Sequence, residues 1–355
     1  MPRLSAVFDE LLRGWDGDEV VIRFDAATGS WMLIGVHSTR RGPAMGGTRM
    51  KAYAAPEDAL ADVLRLSRAM TFKQAAADLP YGGGKAVLAV PAVPERGSPE
   101  RRDLLLAYAT LVDQLHGTYV TAADMNTGPP DMDVIGERTS HVLGRSRERG
   151  GSGDPGGGTA IGVFHGIRAT CLRAFGSPDL DGRSILVQGA GSVGGRLLDL
   201  LHAEDARLLV SDVDGARAQE AATRVDAKLV DPADAIGTEV DVFAPCATGP
   251  VLTPQTIPAL ACRAVAGAAN NQLGTDADAG LLADRGILYA PDYVINAGGV
   301  IHLAGYETLG WDEATMAARL AGIGETLATV FAEADRDGIT TAEAADRLAL
   351  ARLAS

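Results

Sequence analysis

The chain has 355 residues, a length typical of about two domains, and its 46% apolar and 22% charged residues are the composition of a folded globular protein. Its 43 glycines follow no three-residue period, which excludes a collagen-like chain, and no apolar run reaches the roughly 18 residues that a membrane helix needs. The formal net charge of −14 argues against a nucleic-acid partner, because an acidic surface repels a phosphate backbone.

The first part of the chain predicts a mixture of strands and helices. Apolar residues alternate in the predicted strands and recur at helical spacing in the predicted helices. The segment at 80–84 is typical of a break in the chain before a buried strand. In chain order, the predicted elements are two strands within 20–38 with a turn at 27–29, a helix at 57–78, a strand beginning at Lys85, a helix at 100–116, a strand at 118–124 and a polar loop at 125–133.

A change of pattern divides the chain into two predicted domains. Residues 144–158 (GRSRERGGSGDPGGG) form its loosest stretch, which is typical of a linker. From residue 184 strands and helices alternate, which indicates a parallel sheet with helices on both faces, and the chain ends in Ala-rich helices. The sequence therefore predicts an α/β protein with a mixed-sheet domain at 1–145 and a Rossmann domain at 146–324.

A glycine-rich turn follows the predicted strand at 185–188 and opens a helix. In Gly189-Ala190-Gly191-Ser192-Val193-Gly194, the first glycine allows the tight turn and the second a close approach of a pyrophosphate. The third allows close packing of helix on strand, and the free N–H groups of Ser192 and Val193 at the helix N-terminus can hold phosphates. This pattern predicts a dinucleotide site.

Asp212 ends the next predicted strand, about 20 residues after the turn, where a carboxylate accepts hydrogen bonds from ribose hydroxyls. Such a carboxylate repels a 2′-phosphate, so the expected cofactor is NAD rather than NADP. Arg217 is close enough in sequence to weaken this preference. Asp212 can instead cap a helix, and Arg217 can be a solvated residue or lie over the adenine ring.

Three side chains of the first domain are candidates for chemistry. Lys85 follows three glycines, which let a backbone crowd a ligand, and it begins an apolar strand where a lysine has little structural use. Lys73 is also compatible with a surface lysine near a helix end, and Asp124 with a turn. Gly46-Gly47 is a second place where a ligand can approach the backbone closely.

The N-terminal segment and the cysteines predict a cytoplasmic protein whose thiols are reduced. Residues 1–17 are polar and acidic and lack the apolar core of a secretory signal. Cys171, Cys246 and Cys262 are far apart and odd in number, which fits neither a disulfide framework nor a metal cluster. No grouping of histidines, cysteines and carboxylates has metal-ligand spacing, so we expect no metal.

Nine segments resemble the Glu/Leu/Phe/Val family of amino acid dehydrogenases: GPAMGGTR, AMTFK, LPYGGGKAV, AADMNT, GGGTAIGVF, QGAGSVGG, APCA, GAANNQL and NAGGVI. They occur in this order over nearly the whole chain, and the branch is similar to the phenylalanine, leucine and valine dehydrogenases. The resemblance implies two domains around a deep cleft, with the last helices, about 325–355, packing back on the first domain. It also implies reversible, NAD-dependent oxidative deamination of an L-amino acid to a 2-oxo acid and ammonia, by a homo-oligomer (dimer or octamer).

The resemblance also implies roles for the candidate residues. Lys73 matches the lysine that binds the substrate carboxylate, and Lys85 matches the catalytic lysine. Lys85 would take a proton from the water that attacks the substrate imine, which requires a neutral amine. Burial, the Lys73 cation and the positive nicotinamide ring favour that form. Asp124 matches the carboxylate that shuttles protons and holds the departing ammonia.

Other positions match residues around the substrate and the nicotinamide. Asn270 matches an amide that contacts both, and Thr159, Ala247 and Thr248 fall where the family lines the nicotinamide site. The matched walls of the substrate pocket are Met45, Gly46, Gly47, Met70, Ala123, Val300 and Leu303, although apolar members of this set can equally be ordinary core residues.

Met45 predicts an apolar substrate. Glutamate-specific members of the family carry a lysine at this place, just before the two glycines, and a buried acidic side chain beside a thioether would lack a partner. Val300 is branched and would narrow the pocket, which favours aliphatic substrates. The segments HLAGYETLGW and EADRDGIT are nearer to the phenylalanine branch, so the expected substrate is branched-chain or aromatic.

Two other functions remain open at this point. A 2-hydroxy acid dehydrogenase would use a histidine as acid and base, and His302, which follows NAGGVI, is the candidate among the six histidines. A non-catalytic NAD-binding protein would keep the glycine-rich turn, but it would have no need of Lys73, Lys85 and Asp124.

Overall fold

The computed structural model describes residues 6–354 of the chain. In this part the chain divides into two units, one comprising the residues up to Asp154 together with Leu353 and Ala354, and the other comprising Pro155–Arg352. The division falls inside the glycine-rich stretch 144–158. No helix among residues 6–354 has the length and apolarity needed to span a membrane.

The first unit is built on a mixed sheet with the strand order β1-β2-β4-β3-β5. Its strands are β1 (Glu19–Asp25), β2 (Ser30–Ser38), β3 (Ala44–Lys51), β4 (Gly82–Ala89) and β5 (Tyr119–Ala123). Its helices are α1 (Ala6–Arg13), α2 (Pro56–Ala76), α3 (Pro99–Asp113) and α4 (Pro129–Ile135). β3 runs parallel to β4 and β5, whereas β2 runs antiparallel to β1 and β4, which confirms the predicted mixed sheet.

Alternating residues of β4 bury the two faces of this sheet against different helices. Val87 packs with Leu60 and Val63 of α2, whereas Leu88 packs on the other face with Leu104 of α3. This is the period of two expected for a strand that is covered on both sides. Residues of β4 that share the parity of Val87, such as Lys85, therefore lie on the α2 face.

The prediction of a break at 80–84 was wrong for its glycines, because Gly82, Gly83 and Gly84 belong to β4 and Lys85 is its fourth residue. A side chain at Gly83 would collide with the backbone and hydroxyl of Thr71 on α2, and one at Gly84 would lie 2.7 Å from the ring of Tyr119. These glycines therefore allow close packing of the protein on itself, as well as any approach by a ligand.

Two further boundaries differ from the sequence prediction. The loop predicted at 125–133 contains the start of α4, where Pro129 occupies the first turn and the Asp131 carboxylate accepts a hydrogen bond from Gly128 N–H at 2.9 Å. The helix predicted after 158 begins already at Gly156, and a side chain at Gly158 would lie 2.8 Å from the Cβ of His302. Pro129 and Gly156 therefore begin helices at positions where the sequence predicted loops.

The second unit has a parallel sheet with the strand order β11-β10-β9-β6-β7-β8. Its strands are β6 (Ser184–Gln188), β7 (Arg207–Ser211), β8 (Lys228–Leu229), β9 (Val240–Pro245), β10 (Cys262–Val265) and β11 (Leu288–Tyr289). Its helices are α5 (Gly156–Phe175), α6 (Ser192–His202), α7 (Gly215–Arg224), α8 (Asp278–Asp284), α9 (Asp292–Ile295), α10 (Gly298–Glu307), α11 (Glu313–Asp337) and α12 (Thr341–Ala354). From β6, strands β7 and β8 are added on one side of the sheet, whereas β9, β10 and β11 are added on the other. This reversal of strand order confirms the Rossmann prediction, and such sheets bind ligands at the point of reversal, here between β6 and β9.

The C-terminal helices belong to the second unit up to Arg352. Along α5, Gly162 and Gly166 leave room for Ile323 and Leu327 of α11. Residues 325–352 are therefore part of the same unit as the Rossmann sheet.

Candidate active site

The centre of the candidate site in the first unit is an ion pair between the Lys85 Nζ on β4 and the Asp124 carboxylate, which directly follows β5. The Lys85 side chain is 6% exposed and that of Asp124 is 19% exposed. β3 lies between the two strands, and a Cβ at Gly47 of β3 would lie 2.8 Å from the Asp124 Cβ. The missing side chain at Gly47 therefore gives the lysine room to reach the carboxylate across the intervening strand.

Asp124 is ionised at neutral pH. Burial alone would raise the pKa of this carboxyl group, but the charges of Lys85 and Arg49, together with the Met125 N–H, hold it well below its ordinary value. The Arg49 Nε lies 3.6 Å from the Asp124 Oδ1. Sequence analysis predicted Lys73 as the charged neighbour that acts on Lys85, whereas the contact that the structure gives Lys85 is with a carboxylate.

The loop that follows Asp124 is fixed by buried polar contacts. Thr127 Oγ1 accepts a hydrogen bond from Asp124 N–H at 2.9 Å and donates one to the Thr48 carbonyl at 2.8 Å. Arg101 of α3, 2% exposed, donates to the Asn126 carbonyl and to both oxygens of Asp131. The carboxylate of Asp124 is thereby carried on a rigid support, which a catalytic group needs.

The predicted substrate residues of α2 lie at the helix end that packs on β4. Thr71 packs against Gly83 of β4, and the half-buried Met70 and Lys73 are in the same turn of the helix. On β3, Met45 is buried and its Sδ accepts a hydrogen bond from Gln74 Nε2 at 3.3 Å. The thioether therefore accepts a hydrogen bond from a neutral amide.

The glycine-rich turn of the second unit connects β6 to α6, as predicted. Gly189 has a φ of +98°, which a residue with a side chain rarely adopts, and a side chain at Gly194 would collide with the Gly189 carbonyl. A Cβ at Gly189 would also lie 2.9 Å from the Ala247 nitrogen, so the turn lies against the segment that follows β9. Gly191 is exposed and a Cβ there would meet no atom within 4 Å, which leaves space for a phosphate.

Asp212, directly after β7, is tied to the glycine-rich turn. Its carboxylate accepts hydrogen bonds from the N–H groups of Ala190 and Asp214, both at 2.8 Å. Burial alone would raise the pKa of Asp212, but these two donors and the Arg217 cation lower it. The helix cap that was the alternative role is taken by Asp214, whose side chain accepts from Arg217 N–H.

The remaining predicted residues of the second unit lie at helix starts and strand ends. Asn270 follows β10, and its Oδ1 accepts a hydrogen bond from Asn296 Nδ2 at 2.9 Å. Thr159 lies in the first turn of α5 against the first turn of α10, where a Cβ at Gly299 would lie 2.8 Å from its Oγ1. Val300 in that turn is half-buried and Leu303 is buried, whereas Ala247 and Thr248 are exposed.

Burial determines the environments of His302, the acid–base candidate of the alternative 2-hydroxy acid dehydrogenase, and of Cys171 and Cys246. His302 is buried, and its ring packs edge-on against Tyr306 at 4.9 Å between centroids. Burial raises the pKa of Cys171 to about 11 and that of Cys246 to about 12, so both thiols are protonated at neutral pH. Among residues 6–354, no group of three or more His, Cys, Asp or Glu side chains could hold a metal ion.

Sequence reasoning missed the charged residues that support the site. Arg49, Asp62 and Arg101 resemble solvated charges in the sequence, but all three side chains are at most 14% exposed. One signal was available for Arg49, because it lies two residues after Gly47 and strand parity places both on the same face. Nothing in the local pattern around Arg101 marks it as buried.

Two protein-family models match most of the chain. Residues 27–141 match the Glu/Leu/Phe/Val dehydrogenase dimerisation domain, and residues 216–355 match the Glutamate/Leucine/Phenylalanine/Valine dehydrogenase model. The first match contains Lys73, Lys85 and Asp124, and the second contains Asn270.

Curated relatives are similar over nearly the full chain. The leucine dehydrogenase of Bacillus cereus is 42% identical over 346 residues, which cover 98% of this chain and 93% of the relative. The valine dehydrogenase of Streptomyces virginiae is 44% identical, with 95% of this chain and 93% of the relative covered. The L-tryptophan dehydrogenase of Nostoc punctiforme is 44% identical, with 91% and 89% covered.

Solved structures share the fold. The crystal structure of L-tryptophan dehydrogenase from Nostoc punctiforme superposes with a TM-score of 0.81 at 40% identity, and 98% of each chain is covered. The hetero-hexameric glutamate dehydrogenase of Thermus thermophilus superposes with a TM-score of 0.77 at 23% identity, covering 99% of this chain and 96% of the other. At that identity the second similarity concerns the fold alone.

The Lys85–Asp124 pair should show strong coupling in a double-mutant cycle. We expect Lys85→Met and Asp124→Asn each to lower the free energy of unfolding by about 3 kcal/mol, because each leaves a buried charge without its partner. The double variant should lose clearly less than the sum. Urea unfolding measures all four free energies.

The exposed pair Arg173–Asp335 provides the control for this cycle, because its side chains are 47% and 53% exposed. Its coupling should stay below about 1 kcal/mol. If the losses in the free energy of unfolding of the Lys85 and Asp124 variants were additive, the result would contradict a direct interaction between the two side chains.

Proposed function

Because the chain belongs to the Glu/Leu/Phe/Val dehydrogenase family, we propose that it catalyses the reversible, NAD-dependent oxidative deamination of an apolar L-amino acid, releasing its 2-oxo acid and ammonia. It is an amino acid dehydrogenase, an oxidoreductase that acts on the CH–NH₂ group of its substrate with NAD(P). The observation that carries the proposal is the buried Lys85–Asp124 pair, in a chain whose second unit has a dinucleotide turn.

The acid–base steps fall to Lys85 and Asp124. The glycine-rich turn and Asp212 would hold the dinucleotide, which would supply the acceptor for the hydride of the substrate Cα and so leave an imine on the substrate. Lys85 takes a proton from the water that attacks this imine, and the ionised Asp124, in direct contact with Lys85, relays that proton to the departing amine. The products are the 2-oxo acid, ammonia, the reduced cofactor and one proton, which comes from the hydroxyl left by the water and is released through Lys85, so the two electrons and the protons balance.

Lys73 binds the substrate carboxylate in this proposal. It is half-buried in the last turn of α2, and Thr71 of the same turn contacts β4, the strand of Lys85. A cation at this position fixes the substrate carboxylate so that Cα and the amino group are presented to Lys85. Gly46 and Gly47 have no side chains that would fill the space proposed for the substrate, and Met70 adds apolar surface to it.

The substrate side chain is apolar. Met45 stands where glutamate-specific members of the family have a lysine, and its sulfur contacts the amide of Gln74 rather than a cation. Val300 and Leu303 would add apolar surface, and the branched Val300 favours aliphatic over aromatic side chains. Relatives named leucine, valine and tryptophan dehydrogenase have similar identities to this chain, so identity alone does not rank these substrates.

NAD is the proposed cofactor rather than NADP. The ionised Asp212 lies at the end of β7, where it accepts ribose hydroxyls and repels a 2′-phosphate. Arg217 is engaged by Asp212 at 3.5 Å and by Asp214 at 3.1 Å, which weakens its attraction for a phosphate. Val213 between these carboxylates is 92% exposed and offers an apolar surface to the adenine ring.

The phosphates have a cationic cavity beside the glycine-rich turn. A cavity of about 510 Å³ includes Gly191 and Ser192 and is also lined by three arginines, Arg196, Arg217 and Arg224, and by two acidic residues, Asp199 and Glu220. Arg196 donates to Ser192 Oγ at 2.6 Å, which holds the guanidinium at the N-terminus of α6. These groups favour an anion locally in a chain of formal net charge −14.

The protein is further proposed to be a homo-oligomer, a dimer or an octamer. The model that matches residues 27–141 is described as a dimerisation domain. In the same region, β1 is an edge strand of the sheet and Phe24 on it is 50% exposed. Edge strands and exposed aromatic residues are features of surfaces that other chains cover.

A spectrophotometric NADH assay over a panel of L-amino acids at alkaline pH tests the proposed reaction. We expect turnover of L-leucine, L-valine and other apolar substrates, with aliphatic above aromatic, and at least a ~100-fold lower kcat/KM for L-glutamate because its carboxylate would be buried without a cation. The reductive direction should require ammonia. Ammonia-independent reduction of a 2-oxo acid would instead indicate a 2-hydroxy acid dehydrogenase.

Removal of the Lys85 amine should abolish turnover but leave the cofactor bound. In Lys85→Ala we expect kcat to fall by about 10³-fold, since a positioned acid–base group contributes rate factors of that order. NADH binding, followed by fluorescence, should be unchanged. Lys228→Ala, which alters an exposed lysine of β8, serves as the control and should keep full activity. Wild-type turnover in Lys85→Ala would remove the proposed role.

Cofactor preference should depend on Asp212 but not on its neighbour. Asp212→Ser removes the charge that repels a 2′-phosphate, so the ratio of kcat/KM for NAD to that for NADP should fall about tenfold or more. In the control Asp214→Ser, the serine can still cap α7, and the ratio should change little. Equal ratios in the wild type and Asp212→Ser would contradict the assignment.

A further inference from the structure

A second cation contacts the carboxylate of the catalytic pair. Arg49, on β3 two residues after Gly47, has a side chain that is 13% exposed, and its Nε lies 3.6 Å from the Asp124 Oδ1. The other oxygen, Oδ2, contacts Lys85. The two oxygens of Asp124 are therefore divided between two cations on neighbouring strands.

Arg49 is itself anchored from α2. Its Nη1 donates to the Asp62 Oδ2 at 2.9 Å, and the Asp62 side chain is 14% exposed. Asp62 also accepts hydrogen bonds from the Tyr53 hydroxyl and from Arg65, both at 2.7 Å. These contacts fix the guanidinium between two carboxylates, and Nε makes no hydrogen bond to any described residue, so it acts on Asp124 through its charge.

We propose that Arg49 is a positioning residue for the acid–base pair, which holds Asp124 against Lys85 and offsets part of the negative charge of Asp124. The inference rests on the proposed function, because it assigns Arg49 a task in the same reaction. A guanidinium suits this task, since it stays charged throughout the working pH range and has donors that can face two carboxylates at once.

The physical argument concerns the charge state that a base needs. A carboxylate in contact with a lysine favours the ammonium form, which cannot accept a proton from water. A cation on the far oxygen of the carboxylate weakens that hold, and Asp62 in turn limits the effect of Arg49. The low pKa of Asp124 agrees with two cations acting on one carboxylate.

The other charged groups of the packed elements have to be counted as well. α2 is the helix packed on this face of the sheet, which is formed by β1 to β5. The charged or titratable side chains of these elements are Glu57, Asp58, Asp62, Arg65, Arg68 and Lys73 on α2, Glu19, Arg23 and Asp25 on β1, His37 on β2, Arg49 and Lys51 on β3, Lys85 on β4, and Tyr119 on β5, with Asp124 directly after β5. Arg49 and Lys85 are the cations in this set for which a contact with Asp124 is recorded.

The test compares the pH profile of kcat/KM for oxidative deamination in four proteins: the wild type, Arg49→Met, Arg49→Lys and Asp62→Asn. In Arg49→Met we expect kcat to fall about 10- to 100-fold, as misplaced catalytic groups cause, with the rising limb of the profile moved to higher pH. In Asp62→Asn the limb should move the opposite way, because an anion is removed. In Arg49→Lys the rising limb should lie close to its wild-type pH, since the positive charge is kept.

Arg41→Met is the matched control for the loss of an ion pair. Arg41 pairs with Asp78 at 2.6 Å, donates a hydrogen bond to the Leu79 carbonyl at 3.0 Å, and its side chain is 18% exposed. Its profile should coincide with that of the wild type. Thermal unfolding and NADH binding of each variant show that the protein is folded, and Asp62→Asn with Arg49→Lys carry the test if Arg49→Met does not fold.

Opposite shifts in Arg49→Met and Asp62→Asn support the inference, because a structural role would not give shifts of opposite sign. If the pH profiles of the Arg49 and Asp62 variants coincide with the profile of Arg41→Met, the inference is overturned. Lys85→Ala, measured in parallel, separates this failure from failure of the proposed function: an active Lys85→Ala removes both, whereas an inactive Lys85→Ala with unshifted Arg49 variants removes only the role of Arg49.

Discussion

A lysine on one strand reaches a carboxylate on the far side of the next strand, and the rest of the candidate chemistry depends on this contact. Gly47 makes it possible, because a Cβ there would lie 2.8 Å from that of Asp124. Gly83 of β4 serves similar close packing, since it lets Thr71 of α2 approach the strand. The glycine-rich segments of the first unit thus bring charged groups together in a place where side chains would keep them apart.

The pair also explains why charges are buried in this unit. A buried ion pair is often no more stabilising than apolar residues of similar size, and a buried charge without a partner costs several kcal/mol. Arg49, Asp62 and Arg101 add three more charged side chains that are at most 14% exposed. Arg49 contacts Asp124, Asp62 anchors Arg49, and Arg101 fixes the loop after Asp124, which is the support that the proposed acid–base role of Asp124 requires.

Local sequence patterns predicted the strand–turn–helix of the dinucleotide site, because the glycines, the helix start and Asp212 lie within a short stretch of chain. They also predicted most elements of the first unit from apolar periodicity. They failed at Gly82, Gly83 and Gly84, since glycine marks both a break and a strand that packs closely. They could not predict the contacts of Arg49 or Arg101, which depend on the pairing of strands distant in sequence.

Chemical rescue tests most directly whether Lys85 is the proton acceptor. The Lys85→Ala enzyme with bound NAD is assayed for oxidative deamination at fixed pH in increasing concentrations of ethylamine, and then with amines of similar size but lower basicity. The account predicts that the rate rises with the concentration of neutral amine and falls for less basic amines. The same low rate at every concentration of every amine, in a protein that binds NADH normally, would contradict it.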